Sequence, residues 1–137
     1  MEARITSPAT MLRPAGDLHP WLRLQRLVTA GLIIGGTDIL CRLDASELER
    51  VPAQGPLILY TNHTGSLEVP LLMARLRKRP ITGLAKIETW NNPAMAWLFT
   101  LWGAIPVRRG EADMLAMRQS LEALEKGWIV TVAPEGT

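Results

Sequence analysis

Residues 57–77 read LILYTNHTGSLEVPLLMARLR, and the pattern within this stretch returns along the rest of the chain. Its first five residues, 57–61, form a short apolar run between a proline and an asparagine, which predicts a buried strand. Residues 67–77 have the composition and length of a helix. Gly65 and Ser66 offer a flexible turn position and an N-cap between the two. The stretch therefore predicts a strand–turn–helix unit.

The same alternation continues toward the C-terminus. Further strands are predicted at residues 81–85, 104–107 and 128–132, and further helices at residues 93–101 and 112–125. Strands that alternate with helices are typical of an α/β domain with a largely parallel or mixed sheet. We expect this sheet to be incomplete at the C-terminus.

The N-terminal part of the chain has a different character. Residues 1–20 contain three prolines in addition to a glycine and show no apolar period, which predicts an irregular leader. Residues 21–50 form an apolar, amphipathic helix and a linker. The α/β domain is expected to occupy residues 51–137.

The apolar segment at residues 27–41 has two interpretations. At about fifteen residues, and with Asp38 inside it, the segment is too short and too polar for a clean transmembrane span. A helix lying in a membrane interface, with Trp21 and the flanking arginines at the headgroup level, fits it well. The alternative is a helix buried against the domain.

Composition limits the class of protein. The chain has 137 residues, of which 47% are hydrophobic and 20% are charged, so it is neither disordered nor a multi-span membrane protein. One compact domain is the expectation. Cys41 is the single cysteine, which excludes an intrachain disulfide and a cysteine-based zinc cluster and fits a reducing, cytoplasmic setting. Its apolar surroundings predict a buried side chain.

Positive charge is concentrated in the middle of the chain. Residues 61–110 hold seven basic and two acidic side chains, which makes this segment a candidate for contact with phosphate, anionic lipid or nucleic acid. Four of the basic residues lie between Arg75 and Arg79, and for these four solvated cations at a helix C-terminus are an equal alternative. No aromatic residues interleave with them, which argues against nucleic-acid binding.

Polar clusters follow each of the four predicted strands. They are Asn62 with His63, Lys86, Arg108 with Arg109, and residues 134–137. In open α/β sheets the ligand crevice lies outside the carboxyl ends of the strands. The four clusters are therefore expected to converge on one site.

His63 and Glu68 are candidates for a catalytic pair. Five residues apart within one helix, the two side chains would point about 140° away from each other. They can meet if His63 lies in the turn and Glu68 lies in the first turn of the helix, where the dipole favours a carboxylate. A carboxylate bound to one ring nitrogen fixes the tautomer and leaves the other nitrogen to accept a proton. The alternative is a histidine that only forms a structural hydrogen bond.

Four blocks in order carry a family resemblance. They are YTNHTGSLEVP at residues 60–70, GLAKIETWNNP at 83–93, WGAIPVRRG at 102–110 and VAPEGT at 132–137. This series resembles the PlsC-like family of phospholipid and glycerol acyltransferases, which includes the 1-acylglycerol-3-phosphate acyltransferases. The resemblance implies transfer of a fatty acyl group to a hydroxyl of glycerol-3-phosphate, lysophosphatidate or a related lipid acceptor. The donor would be acyl-coenzyme A or acyl-carrier protein as co-substrate, without a metal or other cofactor.

The resemblance also implies roles for individual residues. His63 falls on the general base and Glu68 on its orienting acid, although Glu68 stands where Asp is commoner. Arg109 falls on the arginine that binds the acceptor phosphate, beside Arg108, which replaces a common Asp. The other expected substrate-binding residues are Lys86, Glu135, Gly136 and Thr137.

The same resemblance bears on location and completeness. It implies a peripheral or monotopic protein on the cytoplasmic face of a membrane, acting on a phosphate-bearing glycerolipid. The chain stops at Thr137, inside the family's third motif, so we expect a fragment or a natural truncation that lacks normal activity alone. A non-catalytic lipid-binding or scaffold protein is the alternative function.

Overall fold

The computed structural model describes residues 19–62, 68–76 and 78–133. Within them the chain alternates helices and strands, which confirms the predicted α/β class. The elements in chain order are α1 Pro20–Leu40, β1 Leu57–Tyr60, α2 Glu68–Arg75, β2 Ile81–Lys86, α3 Pro93–Leu101, β3 Ile105–Val107, α4 Met114–Glu125 and β4 Ile129–Val132. Two short 3₁₀ helices, Ser46–Arg50 and Ile87–Asn91, lie in the connections before β1 and after β2.

The four strands form one parallel sheet in the order β1-β4-β2-β3. The last strand along the chain, β4, inserts between β1 and β2, so two connections cross over a neighbouring strand. The first half of β2 pairs with β4, and its second half pairs with β3 through Leu84↔Ile105 and Lys86↔Val107. Because all strands are parallel, all their carboxyl ends lie at the same edge of the sheet.

Alternation along the strands divides the core between the two faces of the sheet. On the first, called here the α1 face, Ile81 and Ile129 pack with residues of α1, α2 and α3. On the second, called here the α4 face, Ile105 and Val130 pack with α4 and Trp128.

One glycine in β2 permits a close approach on the α1 face. A side chain at Gly83 would lie 2.3 Å from the hydroxyl oxygen of Thr131 on β4 and in contact with Val69 of α2. The bare backbone at this position therefore lets α2 settle on the sheet.

Helix α1 packs along the outside of α2 and α3. Ala30 is its most buried residue, and the Arg26 side chain donates a 2.6 Å hydrogen bond from Nε to the carbonyl oxygen of Leu101. Trp102 donates from its indole to the Thr29 hydroxyl at 3.2 Å. One side of α1 is thus part of the domain, as one of the two interpretations predicted.

The other side of α1 faces solvent. Its exposed apolar side chains include Trp21, Leu24, Val28, Leu32 and Ile39. None of the helices in the described ranges has both the length and the apolar character needed to cross a membrane.

The prediction of a buried Cys41 is wrong. Cys41 is exposed and forms the C-cap of α1, with its backbone amide bonded to the Thr37 carbonyl oxygen at 2.8 Å. The helix ends at this point and the chain leaves in an extended conformation, so the thiol is carried away from the packed side.

Candidate active site

The carboxyl edge of the sheet carries most of the predicted site residues. Tyr60 at the end of β1 is level with Val132 of β4, and Lys86 is level with Val107 of β3. The strand register shows that β2 and β3 extend about two residues further at their carboxyl ends than β1 and β4 do. Three strand spacings, together about 14 Å, separate the exits of β1 and β3. The edge therefore forms a step, with the β1 exit at one end and the β3 exit at the other.

Glu68 is the first residue of α2, the helix that follows β1 along the chain, and it is partly buried. A carboxylate in the first turn is favoured by the positive end of the helix dipole, as the sequence argument required. His63 lies outside the described residues. Its contact with Glu68 stays a prediction.

Lys86 is the last residue of β2 and is exposed at the sheet edge. It also occupies the N-cap position of the 3₁₀ helix Ile87–Asn91, a turn that the sequence analysis did not predict. This turn connects the end of β2 to α3.

Arg108 and Arg109 follow β3 directly, and both are exposed. The loop after them reverses at Gly110, whose φ of 80° favours glycine. The Asp113 carboxylate accepts the backbone amide of Arg108 at 3.0 Å and the backbone amide of Ala116, also at 3.0 Å. The hydrogen bond from the Arg108 amide and then that from Ala116 lower the pKa of Asp113.

Asp113 was not among the predicted site residues. Its sequence signal is an aspartate directly before an apolar helical run, which is the signature of an N-cap. The second bond, back to Arg108, has no such signature because it depends on how the loop folds.

Three of the predicted substrate-binding residues, Glu135, Gly136 and Thr137, lie outside the described part of the chain. What the structure does describe is the strand before them: β4 ends at Val132, in the middle of the carboxyl edge between β1 and β2.

A small apolar cleft with a cavity volume of about 10 Å³ lies beside α2. It is lined by Val69, Pro70, Met73, Leu98, Phe99 and Trp102. Val69 follows Glu68 directly, so one end of the cleft is next to the candidate carboxylate. A lining without polar side chains suits hydrocarbon.

The Arg75–Arg79 cluster is not part of this site. Arg75 pairs with Asp38 of α1. Arg79 donates to three carbonyl oxygens in two strand-entry loops, those of Pro52 and Gly55 before β1 and that of Gly127 before β4. These bonds lie at the amino edge of the sheet, opposite the edge that carries the candidate site, and they hold tertiary structure there.

Within residues 19–62, 68–76 and 78–133, no group of three or more His, Cys, Asp and Glu side chains is arranged to hold a metal ion.

Fold and site together define a class. The chain has an α/β domain with an open parallel sheet, whose carboxyl edge combines a carboxylate, a lysine and two arginines beside an apolar cleft. The family model described as Acyltransferase matches residues 42–137. The chain therefore belongs to this family, the PlsC-like acyltransferases, and a general acyltransferase role follows. No curated protein and no solved structure matches it.

Proposed function

We propose that this protein transfers a fatty acyl group from acyl-coenzyme A or acyl-carrier protein to a hydroxyl of glycerol-3-phosphate, lysophosphatidate or a related lipid acceptor. The observation that carries the proposal is the position of Glu68. The residue opens α2, which follows β1 along the chain, and in this proposal His63 from the segment between the two elements contacts it. The family match supports the reaction class.

His63 acts as the general base in this proposal. Its ring nitrogen accepts the proton of the acceptor hydroxyl while the hydroxyl oxygen attacks the thioester carbonyl carbon. The tetrahedral intermediate then collapses, the carbon–sulfur bond breaks, and the leaving thiolate takes up the proton from His63. Glu68 binds the other ring nitrogen and stabilises the imidazolium that forms between the two steps.

Charge and shape along the edge support the choice of substrates. Arg109 recognises the acceptor phosphate, because the planar guanidinium binds two phosphate oxygens at once. Arg109 and the β1 exit lie at opposite ends of the step, so the acceptor would span it with its phosphate near β3 and its hydroxyl near β1. Lys86 adds positive charge between them. The apolar side chains of the small cleft beside Glu68 are compatible with a donor that carries a hydrocarbon chain.

The location we propose is the cytoplasmic face of a membrane, with α1 as the contact. All three charged residues of α1, Arg23, Arg26 and Asp38, lie within about 80° of Ala30 around the helix axis, on the packed side. Five exposed apolar residues, Trp21, Leu24, Val28, Leu32 and Ile39, lie at least about 120° from Ala30, whereas Leu22, Leu27 and Leu40 lie within about 80° of it. A helix whose outward side is the uncharged one suits an apolar medium.

The test is turnover by the full-length gene product with acyl-coenzyme A and either glycerol-3-phosphate or lysophosphatidate. His63→Ala should lower kcat by about 10²–10⁴-fold, the usual contribution of a general base. His19→Ala is the matched control, because His19 is the other histidine of the chain and caps α1. Arg109→Ala should raise the acceptor KM more than the donor KM, whereas Arg118→Ala, an exposed arginine on α4, should change neither.

Lipid binding without His63-dependent turnover would instead support the non-catalytic alternative. Equal loss in the His63 and His19 variants would remove the base assignment. Equal effects of Arg109→Ala on both KM values would remove the phosphate assignment.

A further inference from the structure

Asp113 joins the end of β3 to the start of α4. One carboxylate oxygen, Oδ2, accepts the amide of Arg108, and the other, Oδ1, accepts the amide of Ala116 in the first turn of α4. The residues between them form a tight loop, with the Asp113 amide bonded to the Glu111 carbonyl oxygen at 3.0 Å. One side chain therefore ties down both ends of the segment that contains Arg109.

From this geometry we propose that Asp113 is a positioning residue for acceptor binding. It holds the backbone of Arg108 and thereby fixes the direction in which Arg109 leaves the sheet edge. This inference rests on the proposed role of Arg109 in binding the acceptor phosphate.

The bridge also gives the two arginines different environments. The positive charge of Arg108 lies near Asp113 and contributes to lowering the pKa of that carboxyl. Of the two arginines, Arg108 is therefore the one whose charge acts on this carboxylate.

The N-terminus of α4 is already occupied by this carboxylate. A bound phosphate would otherwise compete for the same backbone amides. Recognition at this loop therefore depends on the Arg109 guanidinium, and a guanidinium on a mobile loop loses affinity through the entropy of ordering it. The hydrogen bond from the Arg108 amide to the Asp113 carboxylate should therefore increase the affinity for the acceptor.

The variant that tests the bridge is Asp113→Asn. Asparagine caps helices about as well as aspartate, so the bond to Ala116 and the stability of α4 should persist. Its amide carries one acceptor oxygen, so it cannot also accept the Arg108 amide. Loss of one hydrogen bond should raise the acceptor KM by roughly 3- to 10-fold, with the donor KM and kcat unchanged and with a smaller fall in Tm than complete loss of a helix cap produces.

Two controls separate this role from a general capping effect. Asn92→Ala removes the cap of α3, where Asn92 accepts the amides of Ala94 and Met95. This variant should lower Tm without a selective change in the acceptor KM. In an Arg109→Ala background, Asp113→Asn should produce no further rise, because the two changes act through the same side chain.

The outcomes divide cleanly. A rise in the acceptor KM for Asp113→Asn that disappears in the Arg109→Ala background supports the inference. A rise for Arg109→Ala with none for Asp113→Asn overturns the inference and leaves the proposed function standing. No effect of Arg109→Ala on the acceptor KM overturns the phosphate assignment, and the inference falls with it.

Discussion

The two faces of the sheet are covered to different extents. On the α1 face, three helices enclose a continuous cluster in which Ile129 has no exposed surface. The α4 face is covered by α4, which packs on β3 and β4, while Ile58 and Tyr60 on β1 remain 49% and 68% exposed. The difference indicates that the free energy of folding comes mainly from the α1 face, whereas the α4 face carries the arginine loop.

The largest expected effect on stability comes from a substitution that disrupts the packing on the α1 face. Ile129→Ala should lower the free energy of unfolding by about 2–5 kcal/mol, because it removes three buried carbons from a position that cannot collapse. Ile58→Ala, the same substitution on the neighbouring strand but on the open side, should cost no more than about 0.5–1 kcal/mol. Urea denaturation of both variants measures the two values. Similar losses for the two would show that the faces contribute equally.

A smaller effect is expected for membrane binding by the solvent-exposed surfaces of α1 and α4, the helices that cover the two faces of the sheet. Leu32 on α1 and Leu121 on α4 are 71% and 53% exposed, and both lie on helices. If α1 contacts lipid, Leu32→Gln should weaken binding to phosphatidylcholine–phosphatidylglycerol vesicles by roughly tenfold, given about 1.5–3 kcal/mol for burying a leucine. Leu121→Gln should leave vesicle binding unchanged. Both substitutions are mild for helix propensity, so co-sedimentation reports on the surface and not on folding.

The outcome that contradicts the membrane proposal is equal binding by the two variants and the wild type. Equal weakening of vesicle binding by Leu32→Gln and Leu121→Gln would show that the membrane contact is not specific to α1.

The elements of this fold were predictable because each is encoded locally. The apolar run at residues 57–61 and the helical stretch at 93–101 carry their own periodicity and their own breakers, and the structure places β1 and α3 there. Some boundaries moved, as at α4, which begins at Met114 instead of residue 112 because Asp113 is its cap, and the 3₁₀ helix Ile87–Asn91 was not predicted. The shared carboxyl edge then followed from parallel pairing.

The order of the strands was not predictable in the same way. Nothing in the composition of β4 indicates that it inserts between β1 and β2, because that choice depends on contacts between distant segments. The same reason explains Arg79, whose partners at Pro52, Gly55 and Gly127 are far along the chain. The same reason applies to Asp113, whose role as the N-cap of α4 was predictable from the sequence, whereas its hydrogen bond to Arg108 was not.

The smallest expected effect compares the caps of α3 and α4, one from each side of the sheet. Asn92→Ala and Asp113→Ala should each lower the free energy of unfolding by about 0.5–2 kcal/mol at neutral pH, the usual cost of losing an N-cap. The two should differ in their response to acid, because only Asp113 titrates. Its folded pKa is lowered by the bonds from Arg108 and Ala116, so its stabilising contribution is present above the ordinary carboxyl value of 3.8 and is lost as the pH falls through the lowered folded value.

Urea denaturation of wild type and both variants between pH 6 and pH 3 measures how the free energy of unfolding depends on pH. The gap between wild type and Asp113→Ala should narrow below about pH 4, while the gap for Asn92→Ala stays constant. A gap for Asp113→Ala that does not narrow in acid would mean that the charge of the carboxylate contributes nothing to the bridge between β3 and α4.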